Sequence, residues 1–281
     1  MNRHVKMLGA VAGDVIGSVY EVRGIKRSDF APLVHPQSRC TDDSILTLAV
    51  AEAVLKQEDY GSAIQKYGRR YPHAGYGGSF KRWLAAENPQ PYGSCGNGSA
   101  MRVSPIGWAF DDLDAVMEHA KLSAEVTHNH PEGIKGAQAT ALAIFLARTG
   151  KSKTEIANQI TESFQYDLTR TLDTIRPTYE FNVLCQGSVP ESIISFLESD
   201  SVEGAIRNAV SLGGDADTMA AIAGGIAQAF YRGDSEKSMS PQLVSGVREK
   251  MPEELLVVMD QFMEHFDIGM GKSTGENENG K

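Results

Sequence analysis

The amino-acid sequence predicts an all-α protein built as one compact multi-helix domain. Strict alternation of apolar and polar residues, which marks half-buried strands, is almost absent from the 281 residues. Apolar residues recur instead at helical spacing in roughly ten or more segments. No change in composition marks a domain boundary. We therefore expect residues 1–271 to form one domain and the polar residues 272–281 to form a disordered tail.

The first predicted helix covers residues 5–22 and has glycine at every fourth position, namely Gly9, Gly13 and Gly17. Each glycine costs a helix about 1 kcal/mol relative to alanine, and such a row is tolerable where another backbone packs closely against it. The helix predicted over residues 219–230 has matching rows of alanine and glycine. We therefore expect these two helices to cross closely in the core.

This crossing would bring Asp14 and Glu21 towards two acidic loops. The two residues are seven positions apart and share one face of a regular helix. A solvated charge at a helix end is an equally ordinary fate for Glu21. The loop at residues 23–40 follows, is interrupted by two prolines, and could cover a cleft.

Two acidic clusters lie at the starts of predicted helices, one before residues 45–56 and one before residues 219–230. The members are Thr41, Asp42, Asp43 and Ser44 in the first cluster, and Asp215, Asp217 and Thr218 in the second. Such residues are common N-caps, so capping alone explains either cluster about as well as a site does. Four carboxylates brought together would repel unless cations lay between them, and oxygen ligands suit Mg²⁺ or Mn²⁺. We expect the clusters to share a metal site, with room for two cations.

The other predicted helices cover residues 60–72, 80–86, 113–125, 136–149, 153–164, 191–197 and 202–212, and two more start at Pro241 and Pro252. Residues 165–190 are less regular. Within them, the glycine and proline of segment 186–190 favour an extended conformation.

A glycine-rich segment provides candidate phosphate contacts. Its members are Gly96, Asn97, Gly98, Ser99 and Ala100. Closely spaced glycines with Asn and Ser at a helix start expose backbone N–H groups that can bind a phosphate, although a plain turn has the same composition.

Two histidines and one tyrosine are further candidates. His128 and His130 could bind zinc, but no third zinc-type ligand stands in a recognisable pattern, so we expect them to line a polar pocket or to cap a helix. Tyr76, the aromatic residue of the glycine-rich turn at residues 73–79, is a candidate substrate contact.

Composition narrows the class of protein. A net charge of −9 argues against general nucleic-acid binding, although it leaves room for an anionic ligand next to cations or helix N-termini. Cys40, Cys95 and Cys185 form no zinc or disulfide pattern, and a buried thiol is a better interpretation of Cys40 than a nucleophile. With no signal peptide and no bilayer-spanning apolar run, we expect a cytoplasmic protein that binds no membrane. We also expect a monomer.

Taken together, these segments resemble the ADP-ribosylglycohydrolase family, which includes the dinitrogenase reductase-activating glycohydrolase and ADP-ribosylarginine and ADP-ribosylserine hydrolases. The matching segments are residues 9–21, 41–44, 96–102, 127–128 and 213–218. They fall in the family's order and span most of the chain.

The resemblance implies an all-α fold with two Mg²⁺ or Mn²⁺ ions. By position, it implies metal ligands at Thr41, Asp42, Asp43, Asp215, Asp217 and Thr218. It also implies that residues 96–100 and His128 contact ADP-ribose. Glu21 matches a catalytic or metal-associated glutamate of some members. Others use an aspartate near residues 76–80, where this chain has no carboxylate.

The activity implied is hydrolysis of the glycosidic bond between ADP-ribose and a modified side chain, with arginine as the first choice of acceptor. Glu21, Asp42 and Asp217 are the candidate catalytic carboxylates that would orient or deprotonate the attacking water. A linkage to serine or to a nucleic-acid base, or a free ADP-ribose derivative as substrate, remains open. So do a metal-dependent phosphohydrolase that cuts the diphosphate and a binding module without catalysis.

Overall fold

The computed structural model describes residues 7–266, which form fifteen α-helices and no β-strand. The helices are α1 (Leu8–Gly17), α2 (Asp42–Lys56), α3 (Tyr60–Arg70), α4 (Gly78–Ala85), α5 (Gly98–Met101), α6 (Ser104–Ala109), α7 (Leu113–Glu125), α8 (Pro131–Arg148), α9 (Lys153–Phe164), α10 (Leu172–Ile175), α11 (Cys185–Leu197), α12 (Val202–Val210), α13 (Ala216–Phe230), α14 (Pro241–Arg248) and α15 (Glu253–His265). The predicted all-α, single-domain fold is confirmed.

The crossing of α1 and α13 forms the centre of the molecule. Every residue of α1 is buried, as is α13 from Ala216 to Ala229. A Cβ atom added at Gly9, Gly13 or Gly17 would lie under 3.0 Å from backbone atoms of α13. The two backbones therefore touch directly along the glycine row, as the spacing of these glycines predicts.

The remaining helices surround this pair. The helices α8, α11 and α12 pack on other sides of α13, while α2 packs on α3, α6 and α15. The start of α2 faces the start of α13, where Thr218 Oγ1 donates a hydrogen bond to Asp43 Oδ2 at 3.4 Å. The two acidic loops are thus held together by the packing of their helices.

The first helix ends earlier than its sequence pattern predicts. The prediction of residues 5–22 is wrong at its C-terminal end, because α1 stops at Gly17 and Glu21 lies beyond it in a bend. Ser18 marks the end: its hydroxyl donates to Val15 O at 3.0 Å and accepts from Arg39 N at 3.1 Å. Residues 5 and 6 lie outside the described part.

Segment 186–190 is helical, which contradicts its predicted extended conformation. It belongs to α11, which contains Pro190 in its interior. Ser188, Ser192 and Ser195 each donate to the carbonyl four residues earlier, and the helix is buried from Ser188 to Phe196. Burial of this face outweighs the low helix propensity of glycine and proline. The short helices α6 and α10 also have no counterpart among the predicted helices.

Most other boundaries agree to within three residues, with a larger difference at α8. This helix starts at Pro131 rather than residue 136, because His130 acts as its N-cap and accepts from Glu132 N at 3.1 Å. The predicted tail at residues 272–281 lies outside the described residues. Among residues 7–266, no helix combines the length and apolarity needed to cross a membrane.

Candidate active site

Asp14 anchors the first acidic loop to the central helix pair. Its carboxylate accepts from Thr41 N at 2.9 Å, from Thr41 Oγ1 at 2.6 Å, from Ser44 N at 3.0 Å and from Ser44 Oγ. Asp14 is completely buried. Its oxygens are therefore occupied by protein donors, and the residue fixes where α2 begins relative to α1.

The carboxylates of the two acidic loops converge into two overlapping groups. In one group, oxygen atoms of Asp14, Asp43 and Asp217 lie within 4.8 Å of one another. In the other, oxygen atoms of Glu21, Asp215 and Asp217 do the same. Asp217 belongs to both groups, so it lies between two places where several carboxylate oxygens meet.

Asp42 and two threonines border these groups. Asp42 is partly exposed, and its backbone N–H donates to Ala74 O at 2.9 Å. Thr41 is the N-cap of α2, and its side chain accepts from Asp43 N. Thr218 and Asp43 are joined by the hydrogen bond between the two loops. All six candidate metal ligands thus lie on the two facing helix starts.

The electrostatics of the clustered carboxylates are unfavourable without a counter-ion. Burial, followed by neighbouring carboxylates, raises the pKa of Asp42 to about 7 and the pKa values of Asp43 and Asp217 well above the usual range. Burial also raises the pKa of Asp215 and of Glu21. A cation between these carboxylates would offset their repulsion and lower their pKa values.

The ligand atoms on offer suit a hard divalent cation. Neither group contains a sulfur or imidazole ligand, and carboxylate and hydroxyl oxygens are preferred by Mg²⁺ and Mn²⁺. Asp43 Oδ1 is buried without a hydrogen-bond partner in the described structure. Such an unpaired acceptor in a carboxylate cluster fits a position beside a cation.

The glycine-rich segment lies directly against the second acidic loop. Asn97 Nδ2 donates to Asp215 Oδ2 at 2.7 Å, and Asn97 N donates to Val183 O at 2.7 Å. Ser99 Oγ donates to Gly133 O at 2.7 Å, and Ala100 is buried. These bonds hold the segment between α8, α11 and the carboxylates.

Only part of this segment has free backbone donors. The N–H groups of Gly96, Asn97 and Ala100 already donate to Ser94 Oγ, Val183 O and Asn97 O, respectively. Within the described residues, the N–H groups of Gly98 and Ser99 have no protein acceptor. An anion would therefore find two amide donors at the start of α5.

His128 and Tyr76 have different surroundings. His128 Nε2 would lie 3.1 Å from a Cβ atom at Gly98, so the ring lies beside the glycine-rich turn. Tyr76 is buried, its ring centroid is 5.1 Å from that of Phe80, and its hydroxyl has no partner in the described structure. Burial, and after it the charge of Asp42, raises the pKa of the Tyr76 phenol.

One contact near the site has no signal in the sequence, whereas Asp14 has a recognisable one. The contact of Val183 with Asn97 joins positions far apart in the chain and depends on the start of α11, so no local pattern indicates it. Asp14 does carry a signal, because it interrupts an apolar glycine-rich helix. Cys40 is not set up as a nucleophile, since burial raises the pKa of its thiol to about 12.

A well-formed cavity lies away from the carboxylates. It measures about 930 Å³ and opens at the C-terminal end of α2, between Leu55, Phe110, His119 and His265. None of the clustered carboxylates lines it. We therefore assign the candidate active site from the carboxylate geometry rather than from cavity size.

Comparisons with known proteins identify the family of the chain. Residues 6–267 match the family model of the ADP-ribosylglycohydrolases. The ADP-ribosylhydrolase ARH3 of Homo sapiens is 28% identical over 322 residues, which cover 86% of this chain and 89% of the relative. The ADP-ribosylarginine hydrolase Tri1 of Pseudomonas putida (strain GB-1) is 24% identical, with 86% of this chain and 72% of the relative covered.

A solved structure shows the same fold. A chain of an ADP-ribosylglycohydrolase-related protein complex matches with a TM-score of 0.72 at 21% identity, and the match covers 93% of the present chain and 96% of the other. Because the family model spans nearly the whole sequence, the chain belongs to the ADP-ribosylglycohydrolase family of hydrolases that act on ADP-ribose linkages.

Proposed function

We propose that this protein cleaves the glycosidic bond between ADP-ribose and a modified side chain, with two divalent cations bound at the carboxylate groups. The observation that carries the proposal is the position of Asp217 in both groups. A carboxylate shared between two sets of oxygen ligands fits a site for two cations.

The candidate ligands are the carboxylates and hydroxyls of the two helix starts, with Mg²⁺ or Mn²⁺ as the fitting ions. They are Thr41, Asp42, Asp43, Asp215, Asp217 and Thr218. When bound, such ions supply Lewis acidity that holds ribose hydroxyls and lowers the pKa of a water molecule. Asn97 orients Asp215 through its 2.7 Å hydrogen bond.

Glu21 is the best candidate for the proton transfer. It lies in the group with Asp215 and Asp217, yet it remains partly exposed. Burial and then the charge of Asp215 raise its pKa, which moves a carboxylate towards the range in which it accepts a proton from water effectively. Asp42 is the alternative base, and Asp217 is better placed to hold cations.

The glycine-rich segment fits the diphosphate of ADP-ribose. The free N–H groups of Gly98 and Ser99 and the ring of His128 meet at one turn, next to the carboxylates through Asn97. Backbone amides at a helix start are common phosphate ligands. This arrangement would bind the anionic part of the substrate beside the site of bond cleavage.

Arginine is our proposed acceptor, and the name of the relative Tri1, an ADP-ribosylarginine hydrolase, supports this choice. The name of ARH3 specifies no acceptor.

We propose a monomer as the active unit. The free cysteines in the described residues fit a reducing compartment such as the cytoplasm.

The first experiment measures release of ADP-ribose from mono-ADP-ribosylated arginine and serine peptides, with Mg²⁺, with Mn²⁺ and with EDTA. We expect metal-dependent release from the arginine peptide. Release from the serine peptide alone would correct the acceptor, and release that persists in EDTA would contradict the metal site. AMP as product would indicate diphosphate cleavage, and ADP-ribose binding without release would indicate a binding module.

A further inference from the structure

Arg102 is a buried cation that has no role in the proposed reaction. It follows α5 directly and is completely buried. Its Nη2 donates to Ser123 O and to Thr127 Oγ1, both at 2.8 Å. Its Nε and Nη1 atoms have no hydrogen-bond partner, and it forms no ion pair within residues 7–266. An unpaired buried guanidinium is costly, which points to a function.

Thr127 connects this guanidinium to His128. Thr127 is completely buried, and its Oγ1 lies 2.7 Å from His128 Nδ1. The hydroxyl already accepts a hydrogen bond from Arg102. Its own proton has one acceptor within reach in the described structure, which is His128 Nδ1. Since Nδ1 accepts, the proton of the neutral imidazole is on Nε2.

The Nε2 atom faces the turn where the free amides lie. A Cβ atom would be 3.1 Å from Nε2 if added at Gly98, and 3.7 Å if added at Gly96. The N–H groups of Gly98 and Ser99 are at the same turn. The Nε2–H group therefore adds a third donor beside them.

The surroundings of His128 keep its ring uncharged. Burial, and after it the charge of Arg102, hold its pKa well below the usual value. Burial lowers the pKa of Arg102 to about 10, so the guanidinium is still charged at neutral pH. The other titratable side chain against the ring is Tyr92, at 6.1 Å between ring centroids, and burial raises the pKa of that phenol.

We propose that Arg102 is a positioning residue that acts through Thr127 to hold His128 as the neutral Nε2–H tautomer, a fixed hydrogen-bond donor to an anionic oxygen of the substrate. That this oxygen belongs to the diphosphate of ADP-ribose rests on the proposed function. The tautomer and its cause rest on the hydrogen bonds alone.

The direct test is nitrogen NMR of the full-length protein labelled with ¹⁵N-histidine, without ligand. The seven histidines are distinguished by a His128→Gln spectrum. We expect His128 to show protonated Nε2 and unprotonated Nδ1 throughout pH 5.5–8. A protonated Nδ1, or a titration midpoint near 6.5, would overturn the proposal.

Thr127→Val removes the hydroxyl while keeping nearly the same shape. We expect mixed tautomers at His128, a roughly tenfold weaker Kd for ADP-ribose by calorimetry, and a raised KM with kcat little changed. Thr127→Ser keeps the hydroxyl and should restore both the tautomer and the affinity. An unchanged tautomer in the folded valine variant, or a failure of serine to restore it, would contradict the role of Thr127 in positioning His128.

Arg102→Gln tests the guanidinium itself. The glutamine side chain is two atoms shorter and uncharged, so it does not take the place of Nη2; mixed tautomers should appear at His128, and its protonation should move to higher pH. An unaltered tautomer and titration in the folded variant would show that Arg102 does not act on His128. If the wild-type protein releases no ADP-ribose but His128 is the neutral Nε2–H tautomer, the proposed function is wrong. The positioning of His128 by Arg102 and Thr127 then still stands.

Discussion

Asp217 occupies the position at which the two carboxylate groups overlap. Its oxygens lie close to Asp14 and Asp43 on one side and to Glu21 and Asp215 on the other. A carboxylate in this position can contribute to two cation sites at once. Its loss should therefore affect both sites, whereas loss of Asp43 or of Asp215 should affect one.

We expect Asp217→Asn to lose tight binding of Mn²⁺ and to reduce ADP-ribose release by roughly 100-fold or more, since even outer residues of metal sites cost 10–100-fold. Mn²⁺ titration followed by electron paramagnetic resonance gives the number of bound ions. Asp173→Asn is the matched control, because Asp173 is exposed and forms an ion pair with Arg176, away from the carboxylate groups. Undiminished metal binding and activity in Asp217→Asn would remove the metal assignment.

Glu21→Gln preserves shape and removes the carboxylate. If Glu21 accepts the proton from water, kcat should fall by roughly 100-fold to 10⁴-fold, with little change in ADP-ribose affinity. Steady-state kinetics and calorimetry separate the two quantities. Full turnover would exclude Glu21 as the base and leave the metal proposal standing.

The sequence predicts the acidic residues of the site better than their supporting contacts. Asp42, Asp43, Asp215 and Asp217 are recognisable because pairs of carboxylates stand at the starts of apolar helices. The hydrogen bond from Asn97 to Asp215 spans 118 positions. It depends on how distant helices pack, which no local pattern records.

At the scale of secondary-structure elements, the α1–α13 contact is the interaction on which the site depends most. The glycine row of α1 is recognisable because repeated glycines weaken an apolar helix unless a second backbone packs against them. The helical state of residues 186–190 is not, because local propensity favours a break there and burial overrides it. Elements whose stability comes from tertiary packing are the ones that the sequence describes least well.

Gly13→Ala should destabilise the fold by about 3 kcal/mol or more, because the new methyl group would overlap the backbone of α13 at Ala220. Urea unfolding measures the free energy. Gly225→Ala in α13 is the control: its Cβ would meet Ser104 Oγ at 3.4 Å, an ordinary contact, and its stability should stay near that of the wild type. Equal stability of the two variants would contradict close backbone packing.

At the scale of the whole molecule, the buried carboxylates should link stability to pH and to cations. Their folded-state pKa values are raised, that of Asp42 to about 7, whereas an unfolded Asp has a pKa near 3.8. The folded state then binds more protons. The contribution to stability is fully present below the unfolded value and is lost as pH rises through the folded values.

We therefore expect the Tm of EDTA-treated protein to fall between pH 5 and pH 8. Excess Mg²⁺ should raise Tm more at pH 8 than at pH 5, because protons compete with the ion for the carboxylates. Differential scanning calorimetry in both conditions tests this. In Asp217→Asn the slope of Tm against pH should be shallower, and a pH-independent effect of Mg²⁺ would contradict the linkage.

The order in which the chain is synthesised gives the central helix pair a further consequence. Roughly 200 residues separate the end of α1 from the start of α13. At a synthesis rate of about 5–20 residues per second, roughly 10 to 40 s pass between synthesis of α1 and synthesis of α13, which covers its glycine row. During that interval an apolar helix with little intrinsic stability lacks its partner. Nascent chains that end before residue 216 should therefore bind chaperones through residues 8–17, and release should follow completion of α13.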